Sequence, residues 1–167
     1  KTLKVNEKEI FFTSGGTESN NLALFGAAQA NARSGKHVIT TAVEHAAVGQ
    51  PMERLAQMGY EVTVLPVDRT GVVDMKALEE ALRPDTILVS TMYVNNEVGA
   101  VMPVEKIGAL VHEKSPKALY HVDAIQAFGK YTIHPKKTGI DLLSVSSHKL
   151  HGPKGVGFLS ITEKEKI

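Results

Sequence analysis

Cysteine is absent from the 167 residues, and so is tryptophan. Without cysteine there is no disulfide and no thiolate-held metal, a composition that fits a reducing compartment. Aromatic residues make up 5% of the chain, and none interleave with the lysines to form the stacking platforms on which single-stranded nucleic acids are held. Charge of one sign is missing too: 19 basic against 18 acidic residues leave a formal net charge of +1. With no long run of either sign, neither a nucleic acid nor a membrane surface is indicated as a partner. No apolar run approaches the roughly 18 to 20 residues of a membrane helix, and the opening Lys1-Thr2-Leu3-Lys4-Val5-Asn6-Glu7-Lys8-Glu9 has no signal-peptide core. The expectation is a soluble, cytoplasmic chain. Because residue 1 is lysine rather than methionine, a piece of a longer protein is also expected.

What is present points to one domain with a substantial core. Apolar residues account for 43% of the sequence, and a chain of this length buries about two-thirds of its unfolded surface. Short β-branched runs at residues 10–13, 37–41, 62–67, 86–92, 118–122, 142–145 and 156–161 alternate with stretches at helical spacing. Helices are expected over residues 18–33, with Leu22, Phe25, Ala28 and Ala32 inward and a stop at Gly35, and over 46–58, ended by Gly59. Two more follow Asp74, a good N-cap, and Pro103, suited to a first helical position. Near-continuous apolar strands separated by helices imply right-handed crossovers and a sheet covered on both faces. The predicted fold is therefore α/β, a three-layer α/β/α domain with a mostly parallel sheet of about seven strands. Its last strand follows the preceding turn too closely for a helical crossover and is expected to run antiparallel. The charged tail Thr162-Glu163-Lys164-Glu165-Lys166 reads as the start of a linker or a frayed end.

Ligands in open α/β sheets gather at the carboxyl ends of the strands, so what each strand runs into is informative. The first runs into Ser14-Gly15-Gly16-Thr17-Glu18-Ser19-Asn20, where two glycines and a helix start offer backbone N–H groups to an anion. The second ends at Val43-Glu44-His45 and the fourth at Val94-Asn95-Asn96-Glu97-Val98-Gly99. The fifth ends at His121-Val122-Asp123-Ala124-Ile125-Gln126, where Asp123 could hold a protonated ring nitrogen. The sixth enters Ser146-Ser147-His148-Lys149-Leu150-His151-Gly152-Pro153-Lys154-Gly155, where a lysine in a polar turn could be withdrawn from bulk water and made nucleophilic. Taken singly, each has a plain structural reading: a tight turn, a surface histidine, an N-cap, an ion pair. A metal held by His148, His151, His121 and Asp123 is disfavoured, because a lysine between paired histidines repels a cation. No metal is expected.

Taken together and in this order, Phe12-Thr13-Ser14-Gly15-Gly16-Thr17-Glu18-Ser19-Asn20-Asn21, Val43-Glu44-His45, Val94-Asn95-Asn96-Glu97-Val98-Gly99, His121-Val122-Asp123-Ala124-Ile125-Gln126 and the lysine turn closely resemble the cysteine desulfurases of the class V aminotransferase family. The branch most similar supplies sulfur for iron–sulfur clusters and tRNA thiolation. The resemblance implies pyridoxal 5′-phosphate as cofactor and L-cysteine as substrate. It implies that Lys149 forms the Schiff base and moves protons at the substrate α-carbon, and that Asp123 pairs with the pyridine nitrogen. Gly16 and Thr17, with Ser146 and His148 from the other side, match the phosphate cradle. His45 matches the imidazole stacked on the ring, Gln126 the donor to the ring oxygen, and Asn96 a contact near that oxygen and the substrate carboxylate. It further implies a homodimer and a sulfur-accepting or scaffold protein as partner.

Departures from the family pattern are also visible. Its sulfur-accepting cysteine and carboxylate-binding arginine lie on later segments that cannot be matched here, and His151 stands where a tyrosine is more usual. Residues 1–167 thus resemble the cofactor-binding large domain without its small domain, expected to fold but not to turn over alone. Two other readings stay open: a selenocysteine lyase or another enzyme of the superfamily, and a non-catalytic module binding phosphorylated ligands or a protein partner.

Overall fold

The structure, a computed structural model, describes residues 2–163, 165 and 167; Lys164 and Lys166 of the charged tail lie outside the described residues. These form one seven-stranded sheet with helices on both faces. The strands are β1 (Ile10–Thr13), β2 (His37–Thr41), β3 (Glu61–Leu65), β4 (Thr86–Met92), β5 (Leu119–Asp123), β6 (Leu142–Ser146) and β7 (Gly157–Ile161). The helices are α1 (Gly16–Ala30), α2 (Ala46–Gln57), α3 (Met75–Ala81), α4 (Val104–Lys114) and the single turn α5 (Pro135–Thr138). Strand order is β1-β7-β6-β5-β4-β2-β3. The pairs from β3 across to β6 are parallel, and β7 runs antiparallel to both β6 and β1, as the short connection after β6 requires.

Strand alternation builds the three layers. Neighbouring residues point to opposite faces, so Val38, Leu88, Leu119 and Leu142 join the core under α1 and α2. Ile39, Val89, Tyr120 and Leu143, each one residue on, join the core under α3 and α4. Every residue of β2, β4, β5 and β6 is buried, while the edge strands β1 and β3 keep exposed positions. Asp74 caps α3 by accepting from the N–H groups of Lys76 and Ala77 at 2.9 and 3.1 Å.

Three details differ from the sequence reading. In α1 the inward face is Ala23, Leu24, Ala27 and Ala28, and Leu22 is 43% exposed. The helix packs on the sheet and against the neighbouring α2 at once, and such close contact admits small side chains better than the large ones that periodicity favours. Pro103 is the N-cap of α4 rather than its first residue. α1 stops at Ala30, before Gly35, whose part is a close approach: a Cβ there would lie 2.0 Å from the Asp85 carbonyl oxygen and 2.8 Å from its carbon. Those atoms belong to backbone leading into β4, so the clash cannot be relieved by a rotamer change. Gly35→Ala is expected to cost roughly 3 kcal/mol and to lower the melting temperature by about 6–12 °C; an unchanged thermal melt would contradict the close approach.

The chain reverses its winding between β2 and β4: β2 leads outward to β3, whereas β4 leads through α4 to β5 on its other side. Such a switch point opens a crevice beyond the carboxyl ends of the strands, and every segment singled out in the sequence leaves the sheet at that end.

Candidate active site

The anion loop is built first, between β1 and α1. Gly15, the N-cap of α1, has φ +153°, a conformation L side chains rarely adopt. The loop closes on itself: the Thr13 and Ser19 hydroxyls lie 2.7 Å apart, both donate to the Gly15 carbonyl at 3.1 Å, and the Ser14 N–H donates to Glu18 at 2.6 Å. No side chain caps the helix, so the first N–H groups of α1, at Gly16 and Thr17, are left without a capping partner. Behind the loop runs Gly157 of β7, where a Cβ would come within 2.8 Å of Gly15 Cα. Ser146, at the end of β6, lies beside this helix start; a Cβ on Gly15 would sit 3.8 Å from its hydroxyl. That hydroxyl is hydrogen-bonded to His148 Nδ1 at 2.7 Å.

Two loops set the opposite wall. After β2, His45 caps α2, its Nδ1 accepting from the Ala47 N–H at 3.0 Å. This bond leaves the proton on Nε2 and fixes the plane of the ring. After β4, Asn95 organises the turn bearing Asn96: its oxygen accepts from the N–H groups of Glu97 and Val98 at 2.9 and 2.8 Å. Its amide also donates to the Val43 carbonyl at 3.0 Å, tying the Asn96 loop to the His45 loop.

Asp123 ends β5, where only 6% of it is exposed. It accepts from the Ile125 N–H at 3.0 Å and from the Asn20 amide at 2.8 Å. Burial raises its pKa above the ordinary carboxylate value, and these bonds and His45 pull it back only in part. A carboxylate so placed is short of a cation. Two residues back, fully buried His121 is bonded through both ring nitrogens, to Ser90 at 2.8 Å and Ser144 at 2.9 Å. Burial drives its pKa down to about 3, so it is a neutral strut of the sheet, with neither nitrogen free for a metal.

Lys149 lies on the short 3-10 turn Ser147–Leu150 that follows β6. Ser147 donates to the Pro153 carbonyl and fastens the ends of this segment together, and His151 closes the turn in the left-handed region at φ 61°. Lys149 is exposed at the rim. The sequence reading expected an amine withdrawn from bulk water; the open cleft leaves it in contact with solvent.

All of these segments meet in a cleft of about 200 Å³ lined by Gly16, Thr17, His45, Asn96, Asp123, Gln126, His148 and Lys149. Of the expected site residues, Ser146 alone stands behind the wall, buried against His148. Ala47, Met92, Val94 and Ile125 add an apolar lining that the sequence did not single out.

The Glu44 carboxyl is also hidden beside the cleft. One oxygen accepts from the Thr41 hydroxyl at 2.6 Å and the Met92 N–H at 2.9 Å, bracing the His45 loop against the ends of β2 and β4. The other is buried without a partner. Burial pushes its pKa up to about 8, with the Asp123 charge adding to the rise. Since the folded protein holds this proton more tightly than the unfolded chain does, Glu44 weakens the fold as pH climbs from the ordinary carboxylate range through about 8. Glu44→Gln keeps an acceptor for both donors and removes the titration. It is expected to gain up to about 4 kcal/mol on wild type between about pH 5 and about pH 9 in urea unfolding; parallel stability curves would count against a buried neutral acid.

A phosphorylated aldehyde cofactor with a basic ring fits these donors. The uncapped helix start, Thr17 and the Ser146–His148 pair suit a phosphate, buried Asp123 suits a cationic ring nitrogen, and the Lys149 amine suits an aldehyde.

Known proteins lead to the same place. Residues 1–167 match the aminotransferase class-V family throughout. A cysteine desulfurase IscS of Dictyoglomus turgidum is 47% identical over 167 residues, covering 100% of this chain and 42% of that protein. The mitochondrial cysteine desulfurase of Saccharomyces cerevisiae is 46% identical over 167 residues, 100% of this chain and 33% of its own length. The solved structure of a NifS-like protein superposes with a TM-score of 0.96 at 43% identity, covering 99% of this chain and 46% of that one. The chain therefore spans less than half the length of these relatives. With the match running from end to end and the fold and cleft in agreement, the chain belongs to the aminotransferase class-V family, whose members work with pyridoxal phosphate.

Proposed function

We propose that residues 1–167 are the cofactor-binding large domain of a cysteine desulfurase, a protein that takes sulfur from L-cysteine for iron–sulfur cluster assembly or tRNA thiolation. The observation that carries this reading is the convergence of five strand ends on one cleft holding both the buried Asp123 carboxylate and the Lys149 amine. The reaction converts L-cysteine and a protein thiol into L-alanine and a persulfide, with every atom accounted for. The thiol comes from outside these residues, which contain no cysteine. When bound, pyridoxal phosphate supplies an electron sink for the pair left at the substrate α-carbon.

The residues provide the rest. The N–H groups and hydroxyl at Gly16 and Thr17, with Ser146 and His148, would hold the phosphate of the cofactor. Asp123 would keep a proton on its ring nitrogen, and His45, held by its bond to Ala47, would restrain the ring. Gln126 would donate to the ring oxygen, with Asn96 near that oxygen and the substrate carboxylate. The Lys149 amine would bond the aldehyde and would carry protons to and from the substrate α-carbon. Exposed Phe11 and Phe12 on the edge strand β1, at 47% and 82%, support a homodimer. A cytoplasmic location and a sulfur-accepting partner protein complete the reading, although the yeast relative bears a mitochondrial name.

The test is to add pyridoxal phosphate, reduce with borohydride and map the modified peptide, then to supply L-cysteine with a thiol reductant to the complete protein. A stable adduct on Lys149, with alanine and sulfide formed in equal amounts, supports the assignment. An adduct elsewhere, or phosphate-dependent binding with no adduct, replaces it with a binding module. Turnover of selenocysteine alone replaces it with a lyase.

A further inference from the structure

Asn20 is the one polar side chain that α1 sends directly to the Asp123 carboxylate. It is fully buried, its amide nitrogen donates to Asp123 Oδ2 at 2.8 Å across 103 residues of sequence, and its own oxygen has no partner. Asparagine is a poor choice for the inward face of a helix, because it loses helix propensity and carries a polar amide into the core. Beside it Ala23, Leu24 and Ala27 pack without polar atoms, so packing alone gives no reason for an amide. The bond also sets which way the amide points: reversed, it would face its oxygen against a carboxylate oxygen.

We propose that Asn20 is a positioning residue that locks the Asp123 rotamer and, as an uncharged donor, keeps the carboxylate anionic while leaving its charge available to a ring cation. This rests on the cofactor-binding reading of the cleft. A lysine or arginine in this place would also hold the rotamer, but it would satisfy the charge that the ring nitrogen is meant to meet. The two carboxylate oxygens are shared between neutral donors, Asn20 on Oδ2 and the Ile125 N–H on Oδ1. Around the carboxylate, α1 contributes Asn20 and the start of α2 contributes His45, which favours the anion. The loop before α2 contributes Glu44, whose charge would oppose it, and β5 itself contributes neutral His121. From β6 the neighbour in register is uncharged Ser144.

The test compares Asn20→Ala and the near-isosteric, uncharged Asn20→Leu with wild type. The first readout is the titration of the Asp123 carboxyl carbon by NMR in the cofactor-free protein. The midpoint is expected to rise by about one pH unit in both variants, since each removes the donor and adds no charge. The second readout, in the loaded protein, is a fall in kcat of about tenfold with KM for L-cysteine little changed. Should Asn20→Ala fail to fold, Asn20→Leu keeps the shape and decides the matter alone. A lower melting temperature with an unmoved Asp123 midpoint means the amide only packs, and the proposal fails. Failure of wild type to form an adduct on Lys149 removes the cofactor reading instead, whatever the titration shows.

Discussion

Lys149→Ala is expected to eliminate the borohydride-stable adduct and to lower desulfuration in the complete protein by more than about a thousandfold. Two duties fall on this one amine. On the proposed reading it would hold the cofactor aldehyde until substrate arrives and would be the base that removes and returns protons at the α-carbon; no other lining side chain is an amine. The nearest cation along the chain, Lys154, lies past Pro153 on the far side of the turn and is not among the lining residues. Because Lys149 is exposed on its 3-10 turn, cofactor-free stability should stay within about 0.5 kcal/mol of wild type. Loss of chemistry with an unchanged apo melt is the expected pair of results. Phosphate-dependent binding should survive, since the anion loop at Gly16 and Thr17 belongs to a different element. An adduct persisting in Lys149→Ala would move the reactive amine elsewhere and undo the site assignment.

The legible parts of this protein are those whose signal is local. Strands such as β4 and β6, buried at every position, announce themselves as unbroken runs of Val, Ile, Leu, Ser and Thr, and Asp74 marks the start of α3 because an N-cap acts within three residues. The antiparallel β7 is legible from loop length alone. The inward face of α1 is not, because what selects Ala23 and Ala27 is the close packing of α1 on the sheet and beside α2, a property of the assembled layers. α5 is one turn starting at Pro135, too short to carry periodicity.

The site divides along the same line. Its lining residues stand in motifs a few residues long, so they can be read directly. The side chains that brace them act across 48 residues between Glu44 and Met92, 52 between Asn95 and Val43 and 103 between Asn20 and Asp123, and spacing along the chain carries no trace of such pairs. One trace was available for Asn20: an amide where a helix should be apolar. Exposure of Lys149 could not be read either, because it depends on the openness of the cleft beneath the turn.

Asp123→Asn is expected to act in opposite directions on catalysis and on cofactor-free stability. On the proposed reading an amide in this position would not hold a proton on a pyridine nitrogen and the electron sink would be lost; a fall in kcat of about a hundredfold to a thousandfold is expected from removing a preorganised charge of this kind. Stability moves the other way. Burial raises the Asp123 pKa in the fold, so its contribution to folding is greatest below the unfolded carboxylate pKa and declines as pH rises through the folded value. At neutral pH the apo protein therefore carries a buried anion that the unfolded chain would keep in water. The neutral amide has no such cost, and with the Asn20 amide turned over its N–H can donate to the Asn20 oxygen, replacing the bond of the wild type. Urea unfolding near pH 7 should show Asp123→Asn more stable by about 1 kcal/mol, with the advantage vanishing toward about pH 3. Adding pyridoxal phosphate should reverse the order, because the ring cation stabilises only the wild-type carboxylate. A variant less stable than wild type at neutral pH without cofactor would mean that Asp123 is already satisfied by its protein partners, and the case for a ring nitrogen as its missing cation would fall with it.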